Sequence, residues 1–239
     1  MSKYLKKEAS LHLERQNKLQ MKKITLSSLI LFLGITSLTY AQDNKAKTLL
    51  DEVSAKMSSY KNMTILFNSI LTNEDAKLEE GDEDPLKGNV ILEGDKYRLN
   101  YLETDFLFDG KTLYVINHDE KVIAINDSDF DAEDGFIYPS KLLTFYKEGY
   151  NYTFGKLKTI KGKKIQEVIL TPIDSNSIIV KVILGIDTKT KHIYQLAQTG
   201  SNSSITTFTI TSLKSNQDLE KSTFSLDKDA YLKNGYVID

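Results

Sequence analysis

The chain has no cysteine and no tryptophan, and beyond residue 41 it holds one arginine, Arg98. Without cysteine there is no disulfide scaffold and no lipid anchor through an N-terminal cysteine. Histidine is almost as scarce: His12, His118 and His192 are all there are. His12 falls in the leader, and the other two sit at predicted turns or strand ends with no helical i, i+4 partner. Neither a zinc site nor a catalytic triad is expected from them. What remains is a long series of short apolar strands carrying no recognisable catalytic chemistry. Such a chain is better suited to holding an apolar ligand than to transforming a polar one.

Residues 21–41 read as a signal peptide, with Lys22 and Lys23, an apolar stretch, then Thr39 and Ala41 at a cleavage site. The segment 1–20 precedes a second methionine and reads as a misassigned upstream start, outside the fold. Residues 42–239 are then the mature domain, placed in the periplasm. The first 41 residues carry seven of the 31 basic and two of the 33 acidic side chains, which leaves the mature domain at net −7. That balance argues against nucleic acid as a partner and against stable adhesion to an anionic membrane.

Helical spacing occurs once clearly: Ala46, Leu49, Leu50, Val53, Met57 and Tyr60 make one apolar stripe over 44–60, with Asp43 or Asn44 as a cap. After Lys61 the period changes to two. The strands expected are 63–71, 88–92, 96–102, 106–108, 113–117, 121–125, 150–157, 164–171, 178–184, 192–198 and 205–213. Turn pairs such as Gly94-Asp95, Asp109-Gly110 and Lys161-Gly162 separate them. This is an antiparallel meander, and so wide a sheet must curl. The stretch 136–146 is apolar without alternation and reads as one or two short helices with Pro139 near their start.

Two acidic stretches invite functional readings. Residues 127–135 begin like a calcium loop, but Ala132 stands where glycine is needed and Tyr138 where glutamate is needed, so a solvated loop is expected. The run 74–84 holds seven carboxylates and reads as a mobile loop or a contact for a basic partner. No cofactor and no metal is implied. Eleven aromatics, among them Tyr97, Tyr150, Tyr152 and Phe208, fall on strands or the central insert and suit either a core or an apolar cavity with phenol groups at its rim.

Several of these segments, in this order, resemble the periplasmic outer-membrane lipoprotein carriers (LolA-like). The run 88–101 leads into Asp109-Gly110-Lys111-Thr112-Leu113-Tyr114, the most specific match. Tyr60-Lys61-Asn62-Met63, Pro139-Ser140-Lys141-Leu142-Leu143, Leu170-Thr171-Pro172, Thr206-Thr207-Phe208-Thr209-Ile210 and the ending Gly235-Tyr236-Val237-Ile238-Asp239 follow the same order. The resemblance implies an α+β, mainly β fold: an incomplete, unclosed antiparallel β-barrel with an α-helical lid over an apolar cavity. It implies a monomeric carrier, not an enzyme, with acylated lipoproteins as cargo. An inner-membrane lipoprotein-releasing transporter would be donor, with an outer-membrane acceptor.

Lipid-binding residues are expected to be Leu50, Val53 and Met57 on the lid helix, and Leu99, Tyr101, Phe106, Phe108 and Tyr114 on the sheet. Leu142, Leu143 and Phe145 come from the insert. The pattern does not settle which strand face points inward, since a one-residue shift inverts it. Glu93-Gly94 stand where the carriers often have Arg-Pro, so the lid-closing hydrogen bonds of that arginine are not expected here. Arg98 after Tyr97 matches a second family arginine, with Leu99 in place of the usual tryptophan. The other readings are a lipid-sensing regulatory or glycolipid-binding protein of the same fold, a secreted hydrolase, and a structural β-protein.

Overall fold

Alternation of apolar and polar residues sets the architecture. The computed structural model describes residues 44–127 and 138–239. Eleven of its strands follow the segments read from the sequence. They are β1 (Met63–Asn73), β2 (Leu86–Glu93), β3 (Lys96–Tyr101), β4 (Thr104–Phe108), β5 (Leu113–Asn117) and β6 (Val122–Asn126). After the insert come β7 (Tyr150–Ile160), β8 (Lys163–Pro172), β9 (Ile179–Asp187), β10 (Ile193–Gly200) and β11 (Ser204–Ser215). A twelfth, β12 (Val237–Ile238), was not anticipated, nor was the helix α2 (Lys228–Lys233) before it.

All twelve strands form one sheet in the order β12-β6-β5-β4-β3-β2-β1-β11-β10-β9-β8-β7. The two ends of this series, β12 and β7, do not pair, so the barrel is unclosed. Every pairing is antiparallel except that of β12 with β6. The central seam joins the first strand to the last long one, with Met63 opposite Ser215 and Asn73 opposite Ser204. The acidic run 74–84 connects β1 to β2 and is exposed at most positions. The calcium-like stretch lies outside the described residues apart from Asp127.

One face of the sheet carries the main core: Ile65 and Phe67 of β1, Val90 and Leu92 of β2, Leu99 of β3, Val168 and Leu170 of β8, Leu184 of β9 and Leu196 of β10. The helix α1, whose described residues run 44–58, buries its predicted stripe in the same cluster. Leu50, Val53 and Met57 are each at most 3 % exposed, so each contributes about 2 kcal/mol of burial. Contacts gather Ala46–Asp239 into one unit. No helix among the described residues is long and apolar enough to cross a membrane.

Candidate functional site

Strand alternation brings nine inward side chains around one cavity of about 90 Å³, closed on one side by the insert. Ile65, Phe67, Val90 and Leu99 come from β1 to β3, and Ile193, Leu196, Gln198, Phe208 and Ile210 from β10 and β11. Pro139 and Leu142 complete the lining from the insert, which consists of two 3-10 helices at Pro139–Lys141 and Phe145–Lys147. Gln198 is the one polar side chain in this wall. Such a wall suits a hydrocarbon chain better than a polar ligand.

A glycine makes room for one aromatic ring of this wall. Gly88 of β2 stands opposite Phe67 of β1, and a Cβ at position 88 would overlap the Phe67 ring. Phe67 therefore lies across its neighbouring strand and meets Tyr101 and Phe208 at 5.6 and 5.7 Å between ring centres. The Tyr101 hydroxyl shares a 2.7 Å hydrogen bond with Ser69, one polar pair beside otherwise apolar surfaces.

Polar ties fasten both helical pieces. The Tyr146 hydroxyl donates to Asp51 of α1 at 3.1 Å, and the Tyr152 hydroxyl to the Tyr146 carbonyl at 2.7 Å. Burial, assisted by the Asp51 charge, pushes the Tyr146 phenol up to about 12. One residue along, Glu52 pairs with Lys191 at 2.6 Å, and just past the C-terminal end of α1 Tyr60 hydrogen-bonds His192 at 2.8 Å.

The residues expected to bind lipid divide into four groups. Leu99 and Leu142 line the cavity. Leu50, Val53, Met57 and Phe108 are buried in the core cluster to which much of the cavity wall also belongs. Tyr101, Phe106, Leu143 and Phe145 are partly buried and pack against that core. Tyr114 differs from expectation: Leu113 and Val115 take the inner face of β5, and Tyr114 points outward, 5.9 Å below the Lys228 ammonium of α2. The lining from β1, β10 and β11 was missed apart from Phe208, which stood among the noted aromatics. The signal for the rest was present in the i, i+2 spacing of Ile65-Phe67 and Phe208-Ile210.

Arg98 serves the outer face. Its guanidinium donates to Asp105 at 2.9 Å, where Asn100 also donates at 2.7 Å. His118 approaches the same carboxylate at 3.6 Å and hydrogen-bonds the Tyr236 hydroxyl at 2.8 Å. Burial alone would raise the Asp105 carboxyl, but the hydrogen bonds from Asn100 and Arg98 and the Arg98 charge hold it below its usual value. The C-terminal segment is thus seated on the outside of β3 to β6. Among the described residues no group of His, Asp and Glu could hold a metal ion.

Neither a family model nor a curated protein matches the sequence. Among solved structures, the chain is similar to a domain from Vibrio parahaemolyticus described as an outer membrane lipoprotein-sorting protein. That likeness has 12 % identity and a TM-score of 0.42, over 78 % of this chain and 99 % of that one. A LolA superfamily protein from Nitrosomonas europaea shows 12 % identity and a TM-score of 0.41, over 76 % and 98 % of the two chains. The lipoprotein LppX of Mycobacterium tuberculosis shows 12 % identity and a TM-score of 0.45, over 74 % and 98 %.

Proposed function

We propose that the protein is an exported, non-enzymatic carrier that shields the acyl chains of lipoproteins in the periplasm, receiving them from an inner-membrane transporter and passing them to an outer-membrane acceptor. The observation that carries this reading is the cavity wall, apolar at ten of eleven positions and covered by a separate insert. The sequence resemblance to lipoprotein carriers supports the same reading.

Size gives the mechanism its form. Pockets for drug-sized ligands measure roughly 300 to 1,000 Å³. At about 90 Å³ the cavity described here is small beside these, which in this reading makes it the covered state. Pro139 and Leu142 must move outward before cargo enters. One long acyl chain kept from water is worth roughly 10 kcal/mol gross, at about 0.8 kcal/mol per methylene. Lifting the insert offsets part of that gain, which keeps release possible.

The test is displacement of a fluorescent fatty probe from the exported protein by a triacylated lipopeptide. Displacement at micromolar concentration is expected, and it weakens when Leu142→Asp charges the cover or Leu196→Asp charges the wall. Absence of binding by both probe and lipopeptide overturns the reading. Binding of the probe without displacement by lipopeptide points instead to a sensor of other lipids.

A further inference from the structure

The charges of this acidic domain are unevenly placed. Between Lys156 and Lys164, five of nine residues are lysine and none is acidic, and all five lysines are exposed. They form the tip of the β7–β8 hairpin, whose turn residues Lys161 and Gly162 both have positive φ, at 49° and 78°. Because β7 ends the sheet, no strand among the described residues flanks the β7 side of this tip. The β9–β10 turn lies beside it, held by the Thr188 N–H donating to the Lys164 carbonyl at 3.0 Å, and adds Lys189. Three acidic groups face this region. Glu167 pairs with Lys158, Asp187 accepts the turn N–H groups of Lys189 and Thr190, and Glu52 takes Lys191.

An apolar side chain sits among the lysines. Leu157, between Lys156 and Lys158, is 58 % exposed. A bulge between Phe154 and Leu157 turns it opposite Gln166, and Gln166 holds the bulge by donating to the Gly155 carbonyl at 2.8 Å. The opposite pole is at the far end of the strands. Following the antiparallel registers from β7 to β1 puts Met63 at the lysine end and Asn73 at the other, where the seven carboxylates of 74–84 begin.

We propose that the β7–β8 tip is a foot that docks on a bilayer containing anionic phospholipid. The lysines meet headgroup phosphates, Leu157 enters the headgroup layer, and the acidic β1–β2 connection points to water. A bilayer takes the cations and the leucine at one tip, which favours it over an acidic protein. Net negative charge predicts repulsion only for a uniformly charged particle. A polar one binds weakly, in one orientation and with strong salt dependence. The inference does not depend on the cavity holding cargo.

The test is flotation of the exported protein with vesicles of phosphatidylcholine, with and without about one third phosphatidylglycerol. Flotation with the anionic vesicles alone is expected at about 0.1 M salt, and it is lost near 1 M, where screening acts within about 3 Å. The triple variant Lys161→Gln, Lys163→Gln, Lys164→Gln binds about 100-fold more weakly, and Leu157→Ser about 10-fold more weakly. Should the triple variant misfold, Lys161→Gln with Lys189→Gln gives the same reading from two exposed positions. Fatty-probe binding of the triple variant stays unchanged, which separates this test from that of the cavity. Equal flotation with both vesicle types, or a folded variant that floats like the parent protein, overturns the proposal. Capture by polyglutamate without flotation also overturns it, in favour of an acidic protein partner.

Discussion

Gly88 and Phe67 act as one device, because the ring occupies the space a side chain at 88 would need. Gly88→Val is expected to cost about 1 to 3 kcal/mol by overpacking and to push Phe67 out of the cavity wall. Denaturant midpoints read the first effect and fatty-probe affinity the second. Asp105 has a different signature. Its carboxyl is held below 3.8 in the folded state, so the stability it contributes is present above that value. It is lost as pH falls through the lower, folded-state value. Asp105→Asn is expected to cost about 2 kcal/mol at neutral pH and to flatten the stability slope below pH ~4. Thermal melts at several pH values check both. Tyr114 shows why register was not legible in the sequence. Leu113-Tyr114-Val115-Ile116 is apolar on both faces, since Ile116 is buried outside the main core on the side where the C-terminal segment sits. Period-two reading needs one wet face, and β5 has none.

The strands were legible because their turns carry glycine or aspartate where the backbone demands it, as at Asp109, which accepts from the N–H groups of Lys111 and Thr112. The helix α1 was legible from its stripe, which packs into the core cluster on the inner face of the sheet. Its fastening at the His192 end is pH-sensitive. Burial, then the Lys56 charge, lowers the His192 pKa, with Lys163 adding to the effect and Asp187 opposing it. The unfolded chain therefore binds more protons as pH falls below about 6.5, and stability is lost through that window. His192→Gln is expected to remove this slope between pH 7 and 5. Tyr60→Phe with Lys191→Ala loosens α1 by about 1 kcal/mol, read as roughly fivefold faster amide exchange in residues 50–57. The elements α2 and β12 escaped the sequence reading because a six-residue helix and a two-residue strand are too short to show a period.

At the scale of the molecule, the sheet has two unlike ends. On one side β12 covers β6 in parallel, with Val237 and Ile238 beside Val122 and Ile123. On the other, β7 pairs with no further strand among the described residues and carries lysines and a bulge, devices that discourage pairing with another sheet. Truncation after Asn216 removes the cover of β6 and uncovers Arg98, His118 and Tyr114 together. Self-association is the expected outcome, seen as a shift in size-exclusion elution, whereas truncation of the last two residues alone leaves the elution unchanged.

The seam between β1 and β11 has a consequence in time. The Lys61 N–H is bonded to the side chain of Asn216, 155 residues further on, and the whole central pairing follows from that closure. A chain emerging N-terminus first can build the β2 to β6 meander early, but β1 finds its second neighbour only when nearly all of the polypeptide is available. Pairings so distant in sequence are slow to form, because the loop must close before its contacts reward it. For the exported carrier proposed above, which would be threaded unfolded through a membrane, this delay would be useful. The topology itself would postpone the barrel until the far side had been reached.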